Sequence, residues 1–426
     1  MVRVVAVVVL LAMLVACAPQ APPTGNGGAA PPTPPGPGPG APPGANGDAE
    51  QMVVRVVTMT PMSGPDVRMG IRQENSLAAA EQHMAEDNFL TPAYRIDFIR
   101  PFIDDLNSTD GAPIAANLAI AMDPHAVIGH HFTTMILISG PMFEEAGIPL
   151  FGMVSGPASV QQGWDYFHIG TVTDIDAGVV LGDYIVNELG VTNVLVMARN
   201  DEGGMAGAEG VMDRIDYLTG TPMDRDRHYM LFAIDDIDFT AHAMRARDLG
   251  VEAVLTYGLN ATQGIIAYDQ IEQIYGPIPD TVLFAGSTAF GSALMPVHFT
   301  PDKLQGIFFP TGYIMDPSCP MRERFRLQWN ANDPEDLYPG DNDARVYDAA
   351  WNIAAALNLL YENDGPLHPD NDPNFRSRLN HWIRQLDRQG VQGHINYAAF
   401  DDGRMLATGS VAEWQAGGYF IRVFPH

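Results

Sequence analysis

The stretch AVIGHHFTTMILISGPMFEEAGIPLFGMV, residues 126–154, decides the fold. Ala126-Val127-Ile128-Gly129 is a short apolar run closed by a glycine. Thr133 to Glu145 has the spacing of a helix. Ile148 to Val154 is a second apolar run. A sheet with one wet face would alternate apolar and polar residues. Unbroken apolar runs separated by a helix predict parallel strands covered on both faces.

The same alternation continues in both directions. Upstream, Val53 to Val57 reads as a strand, Ser63-Gly64-Pro65 as a turn and Arg68 to Glu86 as a helix. Tyr94 to Ile99 is then a strand and Ala112 to Ala121 a helix. Downstream the pattern restarts with helix Ala177 to Leu189, strand Val194 to Ala198, helix Gly207 to Leu218 and strand Tyr229 to Ile234. Helix Ala241 to Leu249, strand Ala253 to Tyr257, helix Gly264 to Ile274 and strand Val282 to Ala285 follow. Two such runs predict an α/β protein of two doubly wound parallel-sheet lobes. Ligands of such sheets sit beyond the carboxyl ends of the strands. Here those ends are the loops 58–64, 129–134, 155–159, 199–205, 257–262 and 286–289.

The chain has 426 residues, enough for two cores, and a formal net charge of −28. That charge excludes a nucleic-acid partner, which needs a basic face to displace counterions. Arg3 and the apolar Val4 to Val15 have the form of an export signal, too short to span a bilayer comfortably. It ends in Leu14-Val15-Ala16-Cys17, which resembles a bacterial lipobox with Cys17 as the lipidated first residue. Residues 1–17 are then a lipoprotein signal peptide. Residues 18–51, rich in Pro, Gly and Ala, lack the apolar content to fold and read as a tether. Cys319, the other cysteine, reads as a lone thiol.

From about Val53 to Val423 the chain resembles the type I periplasmic binding proteins, specifically the branched-chain amino-acid receptors of ABC transporters. Met62-Ser63-Gly64-Pro65 with Gly70 and Ala78-Ala79-Ala80 carries the first part of the likeness. Asp104-Asp105 with Asp110 and Ala115-Ala116 carries the second. Val127 to His130, Thr133-Thr134 and Glu145 to Pro149 carry the third. Gly163 to Phe167, Asp238-Phe239, Gly390 to Gly393 and Phe400 to Gly403 complete it. The resemblance implies two lobes joined by a multi-crossover hinge: residues 53–171 plus 304–389 in lobe one, 172–303 plus 390–426 in lobe two. It places hinges near 170–174 and 300–306 and a lobe-one helix over Tyr347 to Leu360. It further implies an extracytoplasmic receptor that takes a small-molecule ligand to an ABC permease of the inner membrane, held to the membrane by lipid on Cys17.

The family holds the ligand carboxylate with hydroxyls and backbone amides at helix starts in lobe one, where a helix N-terminus favours an anion. Ser63, Thr133, Thr134, Ser155 and Gly156 fall at such positions, and His131 is placed to donate to an anion. Glu202, Asn260 and Ser287 fall in the loops that would face them, and Tyr166, Tyr257 and Tyr313 are candidate aromatic walls. The family's tyrosines are absent from Glu202-Gly203-Gly204 and Leu259-Asn260. Its acidic residue for an α-amino group is absent from Ser287-Thr288. A standard amino acid held in the standard way is therefore not expected, unless Glu202 grips the ammonium. An acid, an amide or a larger apolar molecule are the alternatives. His130-His131 lack the i, i+4 spacing of a metal site, so neither metal nor cofactor is expected. No Gly-x-Ser-x-Gly, Walker or His-Glu-x-x-His motif is present, which argues against an enzyme. The rival reading is an envelope lipoprotein of this fold that regulates a partner such as a peptidoglycan synthase.

Overall fold

A computed structural model describes residues 51–64, 66–291, 295–314, 316, 318–333, 338–407, 409–415 and 420–424. The signal peptide, Cys17 and nearly all of the tether lie outside these residues. Among the described residues no helix is long and apolar enough to cross a membrane.

The apolar runs become strands of two sheets. In the first, β1 (Met52–Thr60), β2 (Tyr94–Phe98), β4 (Ala126–Ile128), β5 (Leu150–Gly152) and β6 (Phe167–Ile169) lie in the order β2-β1-β4-β5-β6, all parallel. The two-residue β3 (Ile103–Asp104) pairs with the far end of β1. Helices α1 (Val67–Glu86), α2 (Gly111–Ala121) and α3 (Thr133–Ala146) make the connections. Gly147 ends α3 at φ +61°, a left-handed conformation that costs glycine little.

The second sheet has the order β16-β15-β11-β10-β9-β7-β8. Its strands β7 (Val194–Arg199), β8 (Tyr229–Phe232), β9 (Ala253–Tyr257), β10 (Leu283–Ala285) and β11 (Phe308–Thr311) are parallel. The edge pair β15 (Ser410–Trp414) and β16 (Phe420–Phe424) is antiparallel. β7 shows why its sequence has no polar alternation. Val194, Val196 and Ala198 enter one core and Leu195 and Met197 the other, all five without exposed surface. A short antiparallel sheet of β12 (Asp387–Gly390), β13 (Gly393–Asn396) and β14 (Leu406–Ala407) stands apart.

Three expectations about the chain path need correction. The changeover at 303/304 is misplaced, because β11 is hydrogen-bonded between β10 and β15 of the second sheet. The second connection between sheets therefore follows Thr311, and the stretch 300–306 is not a hinge. Residues 390–426 do not stay together: Val391, Ile395, Tyr397 and Met405 pack in the first core, and only β15 and β16 join the second sheet. Cys319 is buried.

Two helix starts also differ. α5 spans Glu202–Thr219 rather than starting at Gly207, because the Asp201 side chain caps it by accepting from Gly204 N at 2.9 Å. The two glycines hid that turn, since glycine is a poor helix former. The helix expected over Tyr347 to Leu360 spans Asp341–Asp364. Asp341 and Asp343 in its first turn favour that end of the helix dipole. α4 (Asp174–Asp183) starts at the crossover from β6, with Thr173 Oγ1 accepting from Asp176 N at 3.1 Å.

Candidate functional site

The carboxyl ends of both parallel sheets meet at a cleft of about 440 Å³. Sheet one contributes His131, Phe132, Thr133, Thr134 and Ser155; sheet two contributes Arg199, Asp201 to Gly204, Tyr257 to Asn260 and Ser287 to Ala289. Asp174, the first residue of α4, lies at the crossover between them. Met69 and Arg72 of α1 and the helix start Gly340 to Asp343 with Arg345 complete the wall.

Thr133 and Thr134 open α3. The cap position is Phe132, whose side chain cannot accept, so no side chain caps this helix start. Gly156 lies directly beside it: a Cβ there would sit 2.3 Å from Thr133 Oγ1 and 2.4 Å from Glu202 Oε2. Asn260 reaches the cleft, but its side chain is committed to accepting from Gln263 N at 2.8 Å in a capping box. The Tyr257 ring packs over Gly207 of α5, and its buried hydroxyl has no protein partner. Both ring nitrogens of His131 are likewise buried and unpartnered. Burial, with Arg345 next in effect, pushes its pKa down to about 3, so the ring is neutral at pH 7. A neutral imidazole donates at one nitrogen and accepts at the other.

The cleft's charges are mostly paired among themselves. Arg345 Nε donates to Asp341 Oδ2 at 2.8 Å, both residues buried, and Arg345 Nη1 donates to Met153 O at 3.2 Å. Arg72 pairs with Asp343, and its guanidinium lies 4.8 Å over the Trp329 ring. Arg199 pairs with Asp201 and donates to Gly258 O at 3.0 Å. Among the described residues, five carboxylates line the cleft (Asp174, Asp201, Glu202, Asp341, Asp343) against three guanidiniums, and Asp174 and Glu202 are the two of these five without a cation. Protein atoms packed round the Asp174 carboxyl push its pKa up to about 7, against a hydrogen bond from Ser155 and the pull of Arg345. Burial also raises Glu202, with Asp201 adding to the effect.

Eight of the twelve residues expected at the site line this cleft: His131, Thr133, Thr134, Ser155, Glu202, Tyr257, Asn260 and Ser287. Gly156 lies behind it. Three lie elsewhere. Ser63 is exposed and its hydroxyl is bonded to Asp104. Tyr166 lies at the amino end of β6, against Gly147 at the far end of α3, with its backbone N donating to Glu144 at 2.9 Å. The Tyr313 ring is buried in the first core, edge-on to Phe325 at 6.0 Å. Sequence reasoning missed Asp174, which it treated only as hinge, and the Arg345–Asp341 pair. The run Gly340-Asp341-Asn342-Asp343, glycine followed by acids, was a legible helix-start signal for the latter.

Residues 53–418 match the sequence profile of the periplasmic binding proteins. The chain belongs to that family. Its members are extracytoplasmic solute-binding receptors that work with ABC transporters, not enzymes. No curated protein matches the chain by sequence. Several solved structures share the fold of this periplasmic binding protein. A leucine-binding protein of Thermotoga maritima is 18% identical, with 87% of this chain and 97% of that one covered and a TM-score of 0.68. A branched-chain amino acid transporter substrate-binding protein of Streptococcus pneumoniae, in complex with isoleucine, is 17% identical (87% and 99% covered, TM-score 0.67). A solute-binding protein of R. palustris in complex with benzoate is 14% identical (87% and 95% covered, TM-score 0.69).

Proposed function

We propose that this protein is a lipid-anchored receptor that closes its lobes on a small polar molecule outside the cytoplasm and delivers it to an ABC permease. The observation that carries the reading is the cleft, lined from both lobes by buried polar groups: His131 and Tyr257, which have no protein partner, and Asp174, which has no cation. A ligand bonded to both lobes at once stabilises the closed form, and only that difference in affinity can shift the equilibrium. Moving from 1% to 99% closed takes about 5.5 kcal/mol of differential binding. Two or three hydrogen bonds to charged groups, about 1.5–3 kcal/mol each, suffice. Closure would turn on the stretch 170–174 and on the connection after Thr311.

The family's acid for an ammonium is missing at Ser287-Thr288, but Asp174 supplies a carboxyl group from the crossover between the lobes. The cleft therefore suits a ligand that presents N–H donors to Asp174, such as an amine or amide. A thermal-shift screen of amino acids, amides, amines and aromatic acids identifies a stabilising compound. Small-angle scattering then shows a smaller radius of gyration with that compound bound. Tight binding without a change of radius would overturn the closing mechanism. The anchor is tested separately by mass spectrometry of the Cys17 peptide. A diacylglyceryl adduct supports it; a Cys17 peptide recovered in disulfide linkage with the Cys319 peptide refutes it.

A further inference from the structure

In the proposed cleft, the anion seat of lobe one is not left for a ligand. Glu202, the first residue of α5 in lobe two, reaches across the cleft into it. Its Oε1 accepts from Ala158 N, in the short helical turn Pro157–Ser159 of lobe one, at 3.0 Å. Its Oε2 lies beside Gly156, on the same face of that residue as Thr133 Oγ1. The carboxylate thus stands at the start of α3 and takes a backbone N–H, as a ligand's carboxylate would.

We infer that Glu202 is a built-in carboxylate that occupies the anion seat and excludes carboxylate ligands from it. The inference rests on the cleft being the solute site. Its parts are independent of any ligand: a donor N–H at hydrogen-bond distance, a second carboxylate oxygen packed against Thr133's surroundings, and no arginine for Glu202 within the cleft. The three guanidiniums there are bonded to Asp341, Asp343 and Asp201. A second carboxylate entering the seat would meet a like charge at close range without a cation to offset it. Gly156 is part of the arrangement, since any side chain there would displace either Thr133 or Glu202. The class of ligand that fits is one without a carboxylate at this end, an amine or amide whose donors face Asp174.

Calorimetric titration of the full-length protein with benzoate and with isoleucine tests this. The wild-type protein should show no saturable binding of either in the micromolar range. Glu202→Ala vacates the seat and should gain at least tenfold in affinity for one or both. Glu202→Gln keeps an acceptor for Ala158 N but removes the charge, and should gain less than Glu202→Ala. Melting temperatures within a few degrees of wild type certify that both variants fold. Micromolar binding of either probe by the wild-type protein, or no gain in either variant, overturns the inference. The reading of the cleft itself is tested by adding Tyr257→Phe to the variant that gains. If the gained affinity is untouched, the probe binds outside the cleft and it is the cleft reading that fails.

Discussion

Asp174→Asn isolates the energetic cost of holding a carboxyl in the cleft. The Asp174 pKa is pushed from 3.8 up to about 7 by the protein packed round it. A raised folded-state pKa means that the contribution of this group is fully present below the unfolded value near 3.8. It is lost progressively as pH rises from there through about 7, the range in which the folded protein still holds a proton that the unfolded chain has released. A shift of about three units corresponds to at most ~4 kcal/mol at 1.36 kcal/mol per unit. Asp174 faces the cleft and its solvent, so roughly half, about 2 kcal/mol, is the better expectation. Asparagine keeps an oxygen that can accept from Ser155 and never ionises. For a fold of this size, with unfolding entropy of about 2 cal/mol/K per residue, 2 kcal/mol shifts Tm by about 2–4 °C. The assay is calorimetric melting of the ligand-free wild type and variant from pH 4 to pH 8.5. The two should melt together near pH 4, and the variant should gain its 2–4 °C progressively between about pH 4 and pH 7 and hold it above that. A difference that does not change with pH, or a variant less stable at pH 8, would refute the reasoning.

Removing the partner of a buried guanidinium has the opposite sign: Asp341→Ala leaves Arg345 buried and unpaired and should cost about 3–5 kcal/mol, read as a lowered denaturant midpoint. Tyr257→Phe removes a buried hydroxyl that has no protein partner. Stability should change by less than about 1 kcal/mol, while calorimetry should show the affinity for a cleft ligand falling. Gly207→Ala would place a Cβ 2.3 Å from Tyr257 Cδ1, so the ring must move into the cleft. Overpacking of this kind costs about 1–3 kcal/mol, and ligand affinity should fall with stability; unchanged affinity would show that the ring does not shape the site.

The sequence by itself determined that there are two doubly wound lobes, where their main strands run, and which strand ends face the cleft. That information is local. A strand buried on both faces, such as Val194 to Ala198, must be apolar throughout, and its helix neighbours must carry a 3.6-residue period. It also determined Thr133, Ser155 and Tyr257 as cleft residues, because each sits at or just past the carboxyl end of a strand. Tyr166 and Tyr313 were misjudged because an aromatic residue near a strand end reads the same whether its ring turns to the cleft or to the core. Their rings lie against Gly147 and Phe325, contacts set by residues tens of positions or fewer away but on other elements. Only the tertiary structure decided the path of β11, since a four-residue strand joins whichever sheet offers hydrogen-bond partners on both sides, and β10 and β15 do. The charge balance of the cleft was equally out of reach. Arg72 and Asp343 are 271 positions apart, and Glu202 meets Ala158 across 44 positions and from the other lobe. Pairing over such distances depends on how the lobes fold back on each other, and no local pattern of residues encodes it.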